Sequence, residues 1–176
     1  MLFSDRSLWT MVHGLVFSGG AILFLAIALY SLRAMALPSG AIVPARHADH
    51  LAWGAILGSA CLWLAVLGGT YVVFPMYRET PPDGVASLAA YPRALLMASD
   101  DSRWLHSFGM EIKEHLPWIA AMLSTAAAYI AWRHRPTLLA DAPLRTVTAS
   151  LLSISLACVA SVALLGVFVN KVAPLW

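Results

Sequence analysis

Six histidines punctuate a chain with few charges, and two of them stand where an imidazole needs a reason. His115 closes the run Glu111, Lys113, Glu114, His115, which leads straight into an apolar stretch over 116–132. A charged group at the edge of hydrocarbon costs roughly 3 kcal/mol unless it is paired, hydrated or ligated, so these residues are functional candidates. His13 sits inside the first apolar stretch, followed by Gly14, Ser18, Gly19 and Gly20. Two neutral imidazoles facing across a flat ring, with no side chain where its edge passes, are what a b-type haem needs between helices. Gly68 and Gly69 supply such a gap. Glu111, one turn before His115 on the same helical face, is placed to accept the other ring N–H and fix the tautomer. Tyr71, with Tyr77, Trp104 and Trp118, supplies the aromatics that a quinone site combines with a histidine near a membrane face.

The elements that must position these groups follow from composition. Of 176 residues 60% are hydrophobic and 11% charged, and the mean hydropathy is +0.76, outside what a soluble domain presents to water. Four stretches, 8–30, 51–73, 116–132 and 147–169, contain no Asp, Glu, Lys or Arg, and each approaches or exceeds the roughly 20 residues needed to cross hydrocarbon. The expected fold is therefore all-α and integral to the membrane: one domain over 1–176, a bundle of four transmembrane helices, with a short amphipathic extramembrane segment between the second and third. The first stretch is too long for a signal-peptide core. If the third helix enters near Met110 and the first near Leu8, His115 and His13 both lie about 7–8 Å deep on one side, level with Gly68 and Gly69.

Small-residue stripes direct packing: Gly54, Gly58, Cys61, Ala65 and Gly68 on the second helix, and Ser150, Ser153, Ala157 and Ala160 on the fourth, are expected to bring those two helices together. Between the second and third, Pro92 begins an interfacial helix and Ser99 caps the next. Leu105, Phe108, Ile112 and Leu116 recur at helical spacing, and Pro117 is placed to kink the helix on entry. Pro38, Ser39, Gly40 and Pro44 make a short extended connection between the first two helices, and Trp176 anchors the end. The short loops at 31–50 and 133–146 hold Arg33, Arg46, Arg133, Arg135 and Arg145, which puts them in the cytoplasm and both termini on the outer, periplasmic side of a bacterial-type inner membrane.

Other residues carry less chemistry. Cys61 and Cys158 lie mid-helix without CxxC spacing and read as packing residues. His106 reads as an exposed loop residue. His47, His50 and His134 gather at the arginine-rich face, where a second haem is the less favoured alternative to a wet surface. A net charge of +2 gives no basic face for nucleic acid. No HExxH, phosphate loop or Ser-His-Asp order is present, and a transporter's charged midplane is missing.

In helix count and histidine placement the chain resembles the small four-helix anchor or cytochrome b subunits of respiratory and photosynthetic complexes. That resemblance implies a non-catalytic electron-transfer subunit packed on other membrane subunits, binding haem b through His13 and His115, or a quinone, near the outer face. The alternative is a cofactor-free anchor whose stripes serve only to pack on partner helices.

Overall fold

The computed structural model describes residues 4–35 and 45–174. Four long helical rods account for most of them. α1 (Asp5–Ala34) starts where the Ser4 hydroxyl accepts the N–H of Ser7 at 3.2 Å, which satisfies one of the free donors at a helix start. α2 is Arg46–Tyr77. A loop leads to the short α3 (Pro92–Met97), with proline in its first turn as expected. The Ser99 cap is also present, accepting from the Asp101 N–H at 3.3 Å. It opens α4, built of the successive segments Asp100–Trp104, Leu105–Gly109 and Met110–Arg133. α5 (Arg135–Ala140) turns the chain, and Asp141 caps α6 (Ala142–Val172) by accepting from Leu144 N–H at 2.9 Å. Among the described residues there is no strand. The connection through Pro38, Ser39, Gly40 and Pro44, and the Trp176 anchor, lie outside the described residues.

Three rods, α1, α2 and α6, are long and apolar enough to cross a membrane. Of the four crossings expected, three are shown among the described residues. The Met110–Arg133 part of α4 is long enough, but Glu111, Lys113 and Glu114 in its first turns make it less apolar than the others. Pro117 is accommodated without ending the helix.

The rods close a ring in chain order, α1 on α2, α2 on α4, α4 on α6 and α6 back on α1. In lipid no hydrophobic drive holds helices together, so these seams rest on close contact and interhelical hydrogen bonds. At the α1–α2 seam Gly54 and Gly58 lie against Phe24, Leu25 and Ala28. Across α2–α4, Ser59 and Trp63 both hydrogen-bond the Thr125 hydroxyl, at 3.0 and 2.9 Å, and indoles meet edge to face in the pairs Trp53–Trp132 and Trp63–Trp118. On α4–α6 the buried Ser155 hydroxyl donates to the Ala120 carbonyl at 3.1 Å. Two expectations are corrected here. α2 and α6 do not pack on each other: they sit diagonally in the ring, because each short connection puts sequential antiparallel rods side by side. The inward stripe of α6 is Thr148, Leu152, Ser155 and Val159, whereas Ser150, Ala157 and Ala160 are exposed. The inner face holds leucine and valine where α4 offers alanines 120, 121 and 127 to receive them.

A second, smaller core of Tyr77, Leu96, Leu105 and Met110 closes one end. Exposed Trp9, Tyr71 and Trp104 surround that end, which carries the 78–91 loop. Tyr30, Trp53, Tyr129 and Trp132 surround the opposite one.

Candidate functional site at the loop end of the bundle

Three rods widen into π-helical turns at the loop end: Val12–Ser18 in α1, Gly69–Val73 in α2 and Leu105–Gly109 in α4. Such turns shift the backbone hydrogen bonds by one residue and often mark functional sites. In α1 the Ser18 hydroxyl donates to the His13 carbonyl at 3.0 Å. Pro75 and Pro117 each lack the N–H that would bond the carbonyl four residues back.

Two ionisable side chains turn inward here, and a glycine on a neighbouring rod makes room for each. The His13 ring lies on Gly69: a Cβ at that position would stand 2.8 Å from Cε1 of the imidazole. Phe17 covers Gly68 at ordinary contact, 3.7 Å. The His13 Nδ1 atom is buried without a hydrogen-bond partner, and the ring lies beside the Ala65 backbone. From α4, Lys113 reaches across to α6, where a Cβ on Gly166 would stand 3.1 Å from its Nζ. Its charge acts on His13, and among the described residues no carboxylate forms an ion pair with it. Each of the four rods thus contributes one residue to an interior cluster, His13, Gly69, Lys113 and Gly166, in which the imidazole and the ammonium fill the spaces the two glycines leave.

His115 stands on the other face of α4. It is two residues from Lys113, about 200° around the helix, so turning the lysine in turns the histidine out. Its side chain is 73% exposed. The Nδ1 atom lies 2.8 Å from the Glu111 backbone carbonyl, while the Glu111 carboxylate stands 3.8 Å away, beyond hydrogen-bond distance. With Phe108, Ile112, Leu116 and Ile119 they line an open groove of about 410 Å³. Of the apolar stripe on α4, only Leu105 faces the interior. The structure therefore gathers His13, Gly68 and Gly69 inside and His115 with Glu111 outside, and leaves Tyr71 exposed at 70%. Lys113 is the interior residue that depth alone did not single out. Its signal was its half-turn offset from His115, together with Gly166 on the last rod.

His106 is a half-buried residue rather than an exposed loop one. Its Nδ1 lies 2.8 Å from the Tyr77 hydroxyl. Burial first, then the Arg93 charge, hold its imidazole below the ordinary value, while Glu114 opposes them. At the opposite end His47 meets His50 and Tyr30 edge to face, whereas His134 packs on Tyr129. Among the described residues no group of three His, Cys, Asp or Glu side chains is placed to hold a metal ion. Cys61 and Cys158 are free thiols, and Cys61 fills the space beside Gly20, its Sγ 3.1 Å from where a Cβ would be.

No protein-family model, curated protein or solved structure matches this chain.

Proposed function

We propose that this chain is an integral membrane subunit of a larger electron-transfer complex of respiratory or photosynthetic type, with all four rods crossing the bilayer and the His13–Lys113 cluster, called the chamber below, as the working site that would open to admit a ligand. The observation that carries the reading is the pair of glycine-made spaces for an imidazole and an ammonium inside an apolar bundle. Each group raises the cost of insertion above that of an apolar side chain filling the same space, so a chemical use accounts for it. The aromatic belts support a crossing by α4 as well: Trp104 lies at one boundary, Tyr129 and Trp132 at the other, matching those of α1 and α2.

The ligand that suits the chemistry of these two groups best is a quinone head group, which takes up two electrons and two protons on reduction. Lys113 donates to one carbonyl oxygen, and His13, whose Nδ1 has no protein partner, takes or gives a proton at the second. Haem b is the second reading, and the contact favouring it is at His115. With Nδ1 held by Glu111, the remaining nitrogen faces outward, as an axial ligand toward a partner subunit requires. His13 then serves a different site, since the two histidines lie on opposite faces of the α4 wall.

The complex purified in mild detergent is expected to carry extractable quinone, with His13→Ala lowering its retention about tenfold, near the worth of one hydrogen bond to a charged group. A reduced-minus-oxidised spectrum with haem bands lost in His115→Ala, and kept in His13→Ala, selects the haem reading instead. Neither quinone nor chromophore in an intact complex leaves a cofactor-free anchor.

Orientation is tested separately. The arginine-rich loops favour an orientation with the 78–91 loop and both termini outside the cytoplasm. A cysteine substituted for Asp83 is expected to react with an impermeant thiol reagent in intact cells, and one substituted for Pro136 only after lysis. The reverse pattern moves the chamber to the cytoplasmic side.

A further inference from the structure

The loop end carries a second cleft that neither His13 nor His115 uses. α2 ends at Tyr77. Arg78, the next residue, lines a cleft of about 280 Å³ together with Glu79, Thr80, Arg93 and Met97. The two guanidiniums arrive from different elements. Arg78 is held over the Phe74 ring, 5.4 Å from its centroid, and Arg93 extends from α3, which is anchored by buried Pro92 and Leu96. Glu79 lines the same cleft, yet among the described residues neither arginine forms an ion pair. Both charges are felt by His106 behind them. Arg103 at the same end differs: it pairs with Asp100 at 3.1 Å and donates to the Met97 carbonyl.

Two oriented guanidiniums without a carboxylate partner match a tetrahedral oxyanion, whose oxygens accept their forked donors. Their depth narrows the source. They lie just beyond the last residue of an apolar span, and the exposed Trp9, Tyr71 and Trp104 mark the same boundary. Lipid phosphates occupy that layer, outside a hydrocarbon core about 30 Å thick. The geometry points to a glycerophospholipid site, in which Arg78 and Arg93 clasp the phosphodiester and the Thr80 hydroxyl completes its hydrogen bonding. The inference is independent of what occupies the interior chamber.

The test uses the full-length chain purified in detergent and exchanged into mixed phosphatidylglycerol and phosphatidylcholine micelles, with retained lipid read by native mass spectrometry. The wild type is expected to keep a bound phospholipid through detergent washing, Arg78→Ala/Arg93→Ala to keep about tenfold less, and Arg103→Ala to match the wild type. Arg78→Lys/Arg93→Lys keeps both charges without the forks, and is expected to fall between the two, which tests the site even if the alanine pair misfolds by circular dichroism. Lipid retention unchanged in both double variants overturns the proposal. So does binding of inorganic phosphate to delipidated protein as tight as that of a short-chain phosphatidylglycerol, because the cleft then serves a free anion.

Discussion

Gly54→Leu is expected to cost about 3 kcal/mol or more and to open the α1–α2 seam, the largest stability loss of any single glycine replacement in the bundle. A Cβ at Gly54 would stand 2.9 Å from the Phe24 carbonyl oxygen, 3.1 Å from the Ala28 nitrogen and 3.3 Å from its Cα. All three are backbone atoms, so no side chain can swing aside and the rods themselves must part. Gly58→Leu meets the Leu25 side chain at 2.9 and 3.0 Å and its nitrogen at 3.1 Å. Part of that contact can rearrange, so a smaller loss is expected. Gly14→Ala is the control: nothing lies within 4 Å of its Cβ position, and the change is expected to be neutral or to gain up to about 1 kcal/mol from helix propensity. Unfolding in mixed micelles, followed by circular dichroism, ranks the three. A Gly54→Leu protein as stable as wild type would mean that the α1–α2 contact does not hold the bundle.

The legible parts of the fold were those set by local rules. Apolar length located the rods; Ser99 marked a helix start because an N-cap needs a short side-chain oxygen beside free N–H groups. The Gly54–Gly58 stripe was read correctly as a packing face. Its partner was not, since a stripe says that something comes close without saying which rod. On α6 the residues of small size and those facing inward overlap only in part, at Thr148 and Ser155, because alanine and serine are as acceptable beside lipid as beside protein. The level of the candidate site was visible in His13 and Gly69, which counting from helix ends brings together. Its membership was not, because depth along an axis carries no information about rotation around it. His115 and Lys113 share a depth, and only packing decides which of the two enters the bundle.

Lys113→Met is expected to separate stability from function. Methionine replaces the lysine stem with a side chain of similar length and no charge, so the bundle should be unchanged or more stable by up to about 3 kcal/mol, the cost of a lysine within a membrane helix. Turnover of the parent complex with quinone should nevertheless fall by about 10²–10⁴, the range set by loss of a positioned proton donor. Two companions keep the reading sharp. Gly166→Leu leaves the charge in the chain but fills the space that the Nζ atom occupies, 3.1 Å from the Cβ position, so it should depress turnover through displacement of Lys113. The double variant Lys113→Met/His13→Ala should lose little more than either single one, because both groups act on one bound head group and removal of either already disables it. Glu114→Gln, one residue along α4, should leave the chamber and its quinone turnover intact. If Lys113→Met instead unfolds the bundle while the surviving protein turns over normally, the lysine is a structural tie between α4 and α6, and the chamber loses its claim to chemistry.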